Sequence, residues 1–167
     1  VLCHRANDYH PDHRAVGTVV QDAAYTVTVP NVAALTPALE RAPVVGYFFD
    51  SFKLPTPYVP TIAIDTDDVF ERKVDMAHCH VSQVYEWLPY NGGRLDQVPE
   101  SDAERRAWLR KQLEARFRHT ADAARETLVR LYGEEHGSKV MSAETVMVSQ
   151  YGRGLPADQT KDYFPFL

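Results

Sequence analysis

Short, continuous apolar segments alternate with amphipathic helical segments along this chain, and that alternation constrains its fold more than any other feature. Residues 1–3, 44–49 and 61–65 are short apolar runs, and residues 144–149 alternate β-branched side chains with others. Apolar runs of this length are typical of strands buried within a sheet. Because strands that alternate with helices pack as layers, the pattern predicts a layered α/β domain.

Three helices are indicated by their start and stop signals. Proline is favoured at the first helical position, so the first helix should begin at Pro11. A second helix is expected over residues 67–88 because its apolar side chains recur at helical spacing. Ser101 and Glu104 have the spacing of a capping box, which predicts a third helix that ends before Gly133.

Composition limits the class of protein. The chain has 167 residues, 44% of them hydrophobic, and a net charge of −5, which argues against a nucleic-acid partner. It has no signal peptide and no apolar run long enough to span a bilayer, so we expect a cytoplasmic protein without a membrane partner. Two cysteines make no disulfide framework, and Cys3 and Cys79 are both predicted to be buried.

The run His10-Pro11-Asp12-His13 is the strongest candidate for a functional site. At the start of a helix, His10 and His13 are three residues apart and can face the same side, and imidazole is a common zinc ligand. The carboxylates of Asp8 and Asp12 could orient an imidazole through its second nitrogen. Residue types alone leave two interpretations open, a metal site or a capped helix start with two surface histidines.

The segment Asp8-Tyr9-His10-Pro11-Asp12-His13-Arg14-Ala15 resembles the second motif of the LmbE-like/PIG-L family of zinc-dependent N-deacetylases. Further points of resemblance follow in the family's order along the chain. These are Lys73, His80, Ser82, Gln83 and the pair Ala143-Glu144. The resemblance implies a three-layer, Rossmann-like sheet with helices on both faces, formed by residues 1–167 as one domain.

The resemblance also implies a mechanism. It makes His13 a ligand of a single Zn²⁺ ion, and it makes His10 the catalytic residue that stabilises the oxyanion and protonates the leaving amine. Asp12 corresponds to the residue that orients His10. The implied reaction is hydrolysis of a linear amide, and the implied partner is a small N-acetylated substrate, an amino sugar.

The family's other zinc ligands and its general base belong to a His-Pro-Asp-Asp motif, which residues 1–167 do not contain. The apolar start Val1-Leu2-Cys3 also resembles the end of a strand that begins upstream. We therefore expect a domain that is incomplete at its N-terminus, binds zinc weakly and is inactive on its own. The alternative is a non-catalytic binding or interaction module derived from the same fold.

Several other residues are candidates for substrate contacts. Arg5 and Asn7 precede the motif and could hydrogen-bond a sugar or phosphate, or could cap a loop. By resemblance, His80 and Gln83 lie near the substrate cleft or hold their helix in place. The aromatic tail, residues 163–166, is expected to pack on its own domain or on a neighbouring subunit, which leaves a homo-oligomer open.

Overall fold

The computed structural model describes residues 1–167 and has a mixed, four-stranded sheet. The strands are β1 (Leu2–Cys3), β2 (Val44–Phe48), β3 (Ile62–Asp65) and β4 (Ala143–Gly152), in the order β1-β2-β4-β3. Strands β1 and β2 are parallel, with Leu2 opposite Gly46, and β2 and β4 are antiparallel, with Phe48 opposite Val146. All four predicted strands are therefore present, and the prediction of an α/β fold is confirmed.

Seven α-helices, together with short 3₁₀ and π segments, complete the chain. No helix has the length and hydropathy that crossing a membrane requires. The helices are α1 (Pro11–Thr26), α2 (Phe70–His78), α3 (Leu88–Asn91), α4 (Asp102–Ala123), α5 (Arg125–Tyr132), α6 (Glu134–Gly137) and α7 (Thr160–Tyr163).

The chain divides into two compact units, and the first comprises Val1–Ala63 and Thr145–Leu167. Its core is a cluster of four buried side chains that α1, β1 and β2 contribute, and β4 adds Met147 against it. Alternation along β2 turns Val45 and Tyr47 to the same side of the sheet. The core consists of Cys3, Ala24, Val45 and Tyr47.

Gly17 sets how closely α1 approaches the segment that follows β1. A Cβ atom at this position would lie 2.6 Å from the carbonyl oxygen of His4 and 3.1 Å from the backbone nitrogen of Ala6. Both distances are shorter than van der Waals contact, so only glycine permits this approach. The consequence is that the first turns of α1 lie directly beside residues 4–6.

The second unit, Ile64–Glu144, contains the remaining candidate motif. The predicted continuous helix over residues 67–88 is wrong, because α2 ends at His78 and a π-helical segment, Ser82–Trp87, follows. The wider π turn changes which residues face inward. Tyr85 is buried, whereas Val81 and Leu88, which helical spacing predicts to be buried, are about half exposed.

The third predicted helix begins as expected but is interrupted. Ser101 caps α4 by accepting a hydrogen bond from the Glu104 backbone N–H, and the Ser101 hydroxyl donates to the Glu104 carboxylate at 2.6 Å. At Ala124 the backbone leaves helical geometry, and α5 continues to Tyr132. Gly133 then adopts a φ of +84°, which explains why glycine follows this helix.

Two further expectations concern the aromatic tail and the cysteines. Phe164 lines a cavity of about 440 Å³ together with Leu2, and Tyr163 accepts a hydrogen bond from Arg153 in the same unit. Tyr163 and Phe166 are nevertheless exposed, and packing of the tail on a neighbouring subunit stays a prediction. Cys3 is buried as predicted, but the prediction that Cys79 is buried is wrong, because Cys79 is exposed at the C-cap of α2.

Candidate functional site

The candidate motif forms the first turn of α1, as the sequence predicts. His10 is the N-cap, Pro11 is the first helical residue, and the His10 Nδ1 atom accepts a hydrogen bond from the backbone N–H of Asp12 at 3.3 Å. A neutral imidazole that accepts through Nδ1 carries its proton on Nε2. His10 is therefore arranged as a hydrogen-bond donor through Nε2, with its ring half-buried.

Asp8 is the buried carboxylate around which the site is organised. Its Oδ1 atom accepts hydrogen bonds from the His10 backbone N–H at 2.9 Å and from His13 Nδ1 at 2.8 Å. Burial raises the pKa of Asp8, but these hydrogen bonds and the nearby imidazoles of His13 and His4 outweigh it and bring the pKa below its ordinary value. Asp8 is thus an ionised acceptor at neutral pH.

His13 has the geometry of a histidine prepared to bind a metal ion. Because the Asp8 carboxylate accepts from Nδ1, that nitrogen carries the proton and the lone pair is on Nε2. One third of the His13 side chain is exposed to solvent. Metal-binding histidines commonly donate their other nitrogen to a carboxylate in this way, which fixes the tautomer and the ring orientation.

His4 is a member of the site that the sequence analysis did not identify. Its ring stacks on that of His13, with centroids 4.0 Å apart and planes within 5° of parallel. Its Nδ1 atom lies 3.4 Å from Asp8 Oδ2. His4 directly follows β1, and residues just beyond the carboxyl end of a strand are frequent site residues, so its position was an available signal.

His4, Asp8 and His13 together offer three donor atoms within 4.8 Å of one another, which could hold a metal ion. Three protein ligands is also the usual number in a catalytic zinc site. However, the two rings lie in nearly parallel planes with their centroids 4.0 Å apart, so their in-plane lone pairs do not meet at one ion, and Asp8 already accepts from His13. The geometry therefore favours Asp8 as the carboxylate that orients His13, and His13 Nε2 as the atom available to bind a metal ion.

Asp12 contacts His10 mainly through its backbone. Its carboxylate is 87% exposed, and the Oδ2 atom lies 3.9 Å from His10 Nδ1, beyond hydrogen-bond distance. The N–H of Asp12 is the group that holds the His10 ring. The carboxylate role that the resemblance implies for Asp12 stays a prediction.

Arg5 and Asn7 anchor the loop that follows β2. Arg5 is 5% exposed, and its guanidinium donates to both oxygens of Asp50 at 2.6 and 2.5 Å and to the carbonyl oxygens of Phe52 and Thr56. The Asn7 amide donates to a carbonyl of the same loop. Of the two predicted roles, loop capping is the one that these contacts provide.

The later motif lies in the second unit. His80 and Gln83 are both exposed, and their predicted roles near a substrate cleft stay predictions. Lys73 and Glu144, two points of the resemblance that are distant in sequence, form an ion pair of 2.7 Å. Burial lowers the pKa of Lys73, although Glu144 acts in the opposite direction. The structure therefore gives these two residues a contact with each other.

Comparison of the chain with known protein families, with curated proteins and with solved structures gives no match. The resemblance to LmbE-like deacetylases therefore rests on the motif residues alone.

Proposed function

We propose that this chain belongs to a metal-dependent N-deacetylase in which His13 is a zinc ligand and His10 is the catalytic acid. The observation that carries the proposal is the hydrogen bond of 2.8 Å between His13 Nδ1 and the buried carboxylate of Asp8. This hydrogen bond leaves the lone pair of His13 Nε2 open to bind a metal ion, on an accessible ring in the first turn of a helix. A surface histidine that only caps a helix has no need of a buried, ionised partner.

The chemistry of His10 follows from its tautomer. With Nδ1 accepting from the Asp12 backbone, Nε2–H can donate to an oxygen that gains negative charge as an amide carbonyl is attacked. The same proton can then be transferred to the leaving amine. The positive end of the α1 helix dipole favours negative charge at this point.

Zinc, when bound, would polarise the amide carbonyl and lower the pKa of a water molecule. In this chain His13 would hold the ion, and Asp8 would keep the His13 ring in its ligand tautomer. The remaining ligands of the family belong to a His-Pro-Asp-Asp motif, which is not among residues 1–167. We therefore propose weak zinc binding by the 167-residue chain.

The proposed fold is the Rossmann-like, three-layer arrangement of this family. It is supported by the parallel pairing of β1 and β2, which are joined through α1 as in a βαβ unit. The proposed substrate is an N-acetylated amino sugar, and the resemblance is its only support. A cytoplasmic location remains part of the same proposal.

Zinc affinity tests the role of His13 directly. We expect His13→Ala to weaken Zn²⁺ binding about tenfold or more in isothermal titration calorimetry, since each lost ligand removes a metal–nitrogen bond. His119→Ala is the matched control, because His119 is exposed on α4. Equal zinc affinities for the two variants would contradict the proposed site.

Turnover tests the role of His10. In the zinc-loaded gene product, His10→Ala should leave zinc bound and lower acetate release from an N-acetylated amino sugar about a hundredfold or more. An unchanged rate of acetate release would show that His10 is not the catalytic acid. Bound zinc without acetate release by the unmodified protein would instead support the non-catalytic binding module.

A further inference from the structure

His4 has contacts that a simple packing residue does not need. Its ring stacks on that of His13 with the centroids 4.0 Å apart, and it also contacts the Phe48 ring, which is tilted by 52° at a centroid distance of 5.4 Å. Its Nδ1 atom is buried and lacks a hydrogen bond, and Asp8 Oδ2 at 3.4 Å is the charged group facing it. A buried nitrogen is normally paired, so the contact with Asp8 calls for an explanation.

Asp8 faces an imidazole with each of its oxygens. His13 Nδ1 lies against Oδ1 and His4 Nδ1 lies against Oδ2. The planes of the two rings are within 5° of parallel, with the ring centroids 4.0 Å apart. An ion held between the rings is disfavoured, because parallel lone pairs do not meet. His4 is therefore better placed to hold His13 than to share its metal.

Two physical effects of His4 act on His13. A ring flip of His13 would pass through an orientation perpendicular to the His4 ring, and at a separation of 4.0 Å the two rings would collide. In addition, the contact of 3.4 Å between His4 Nδ1 and Asp8 Oδ2 favours the carboxylate orientation in which Oδ1 accepts from His13. Both effects keep Nδ1 of His13 toward Asp8 and Nε2 outward.

We propose that His4 is a positioning residue that fixes the ring plane and the tautomer of His13 through stacking and through Asp8. This inference rests on the proposed function, because the orientation of Nε2 matters when it binds a metal ion. It adds a residue to the site for which neither the motif nor its spacing provides a role.

The first test uses the metal-free chain and does not depend on zinc. Nitrogen-15 NMR of the His13 ring should show one tautomer, with the proton on Nδ1. His4→Ala, which removes both the ring and its nitrogen, should give a mixture of tautomers. His4→Phe, which keeps a stacked ring and removes the nitrogen, should give a smaller change. A His13 spectrum that is unchanged in a folded His4→Ala variant would overturn the proposal.

The second test measures Zn²⁺ affinity in the same variants. His4→Ala should weaken binding by about tenfold to a hundredfold, the usual effect of removing an orienting partner of a metal ligand. His4→Phe should lose less Zn²⁺ affinity than His4→Ala. If His4 only packs, both His4 variants should bind Zn²⁺ as tightly as the His119→Ala control. If His4→Ala does not fold, the test rests on His4→Phe alone. A His13 tautomer and a Zn²⁺ affinity equal to those of the wild type in that variant would refute the role of the His4 nitrogen.

The two tests separate this inference from the proposed function. If zinc affinity does not respond to His13→Ala, the proposed function fails, while the tautomer measurement still decides whether His4 positions the ring. If His13→Ala abolishes zinc binding and His4→Ala changes neither tautomer nor affinity, the positioning role fails and the proposed function stands.

Discussion

Replacing Gly17 by alanine should destabilise the protein, although alanine is the better helix former. Gly17 lies inside α1, where this substitution by itself would stabilise by about 1 kcal/mol. The added Cβ would lie 2.6 Å from the His4 carbonyl oxygen and 3.1 Å from two further backbone atoms. Relief of these contacts requires α1 to move by about half an ångström or more, because backbone atoms cannot rotate away.

The steric cost should exceed the gain in helix propensity. Overpacking of a close contact costs about 1–3 kcal/mol. After subtraction of the gain of about 1 kcal/mol in helix propensity, we expect a net loss of up to about 2 kcal/mol in the free energy of unfolding. Urea denaturation followed by circular dichroism measures this loss. Because His13 is one helical turn before Gly17, the same shift should lengthen its 4.0 Å stacking distance to His4, which NMR contacts between the rings would report.

Ala15→Gly provides the matched control in the same helix, since Ala15 is exposed. It should cost about 1 kcal/mol through propensity alone. If Gly17→Ala stabilises the protein by a similar amount, helix propensity decides the outcome and the close approach of α1 to residues 4–6 is refuted.

Three further predictions concern the loop anchor, the cysteines and a helix cap. Arg5→Met should lower the free energy of unfolding by about 3–5 kcal/mol, because it leaves the buried Asp50 carboxylate without its partner; urea denaturation measures the loss, and a loss below 1 kcal/mol would contradict it. Alkylation of the folded protein should label Cys79 and spare Cys3. Burial raises the pKa of Cys3, so its reactive thiolate forms only at higher pH. Equal labelling of the two cysteines in mass spectrometry would show that Cys3 is accessible. Ser101→Ala should cost about 1 kcal/mol in the same denaturation assay through loss of the N-cap of α4, whereas an unchanged midpoint would mean that the cap contributes nothing.

Controls separate these effects from general sensitivity to mutation. Arg118→Met changes an exposed arginine on α4 and should alter stability by less than about 0.5 kcal/mol. For the cysteines, labelling after denaturation should reach both thiols at similar rates.

Several elements were predictable because their signals are local. Pro11 marks the start of α1, Ser101 and Glu104 form the expected capping box, and Gly133 ends α5 with a positive φ. In each case the residues that carry the signal are within a few positions of the structure they determine, so no knowledge of packing is needed.

The π-helical segment shows where local patterns fail. Apolar spacing over residues 67–88 fits one continuous helix, but burial of Tyr85 and its hydrogen bond with His78 at 2.7 Å accompany a wider turn. Whether a helix widens depends on which side chains find a buried partner, and that partner is not encoded in the spacing.

The sequence by itself determined the α/β pattern, the first turn of α1 and the pair of histidines at positions 10 and 13. Tertiary structure decided how these residues are used. In the folded chain His4 stacks on His13, both rings contact the carboxylate of Asp8, and Arg5 pairs with Asp50, which is 45 residues away. The physical reason is that a hydrogen bond or a ring stack depends on distance and orientation in space, which hydrophobic periodicity and capping signals do not specify.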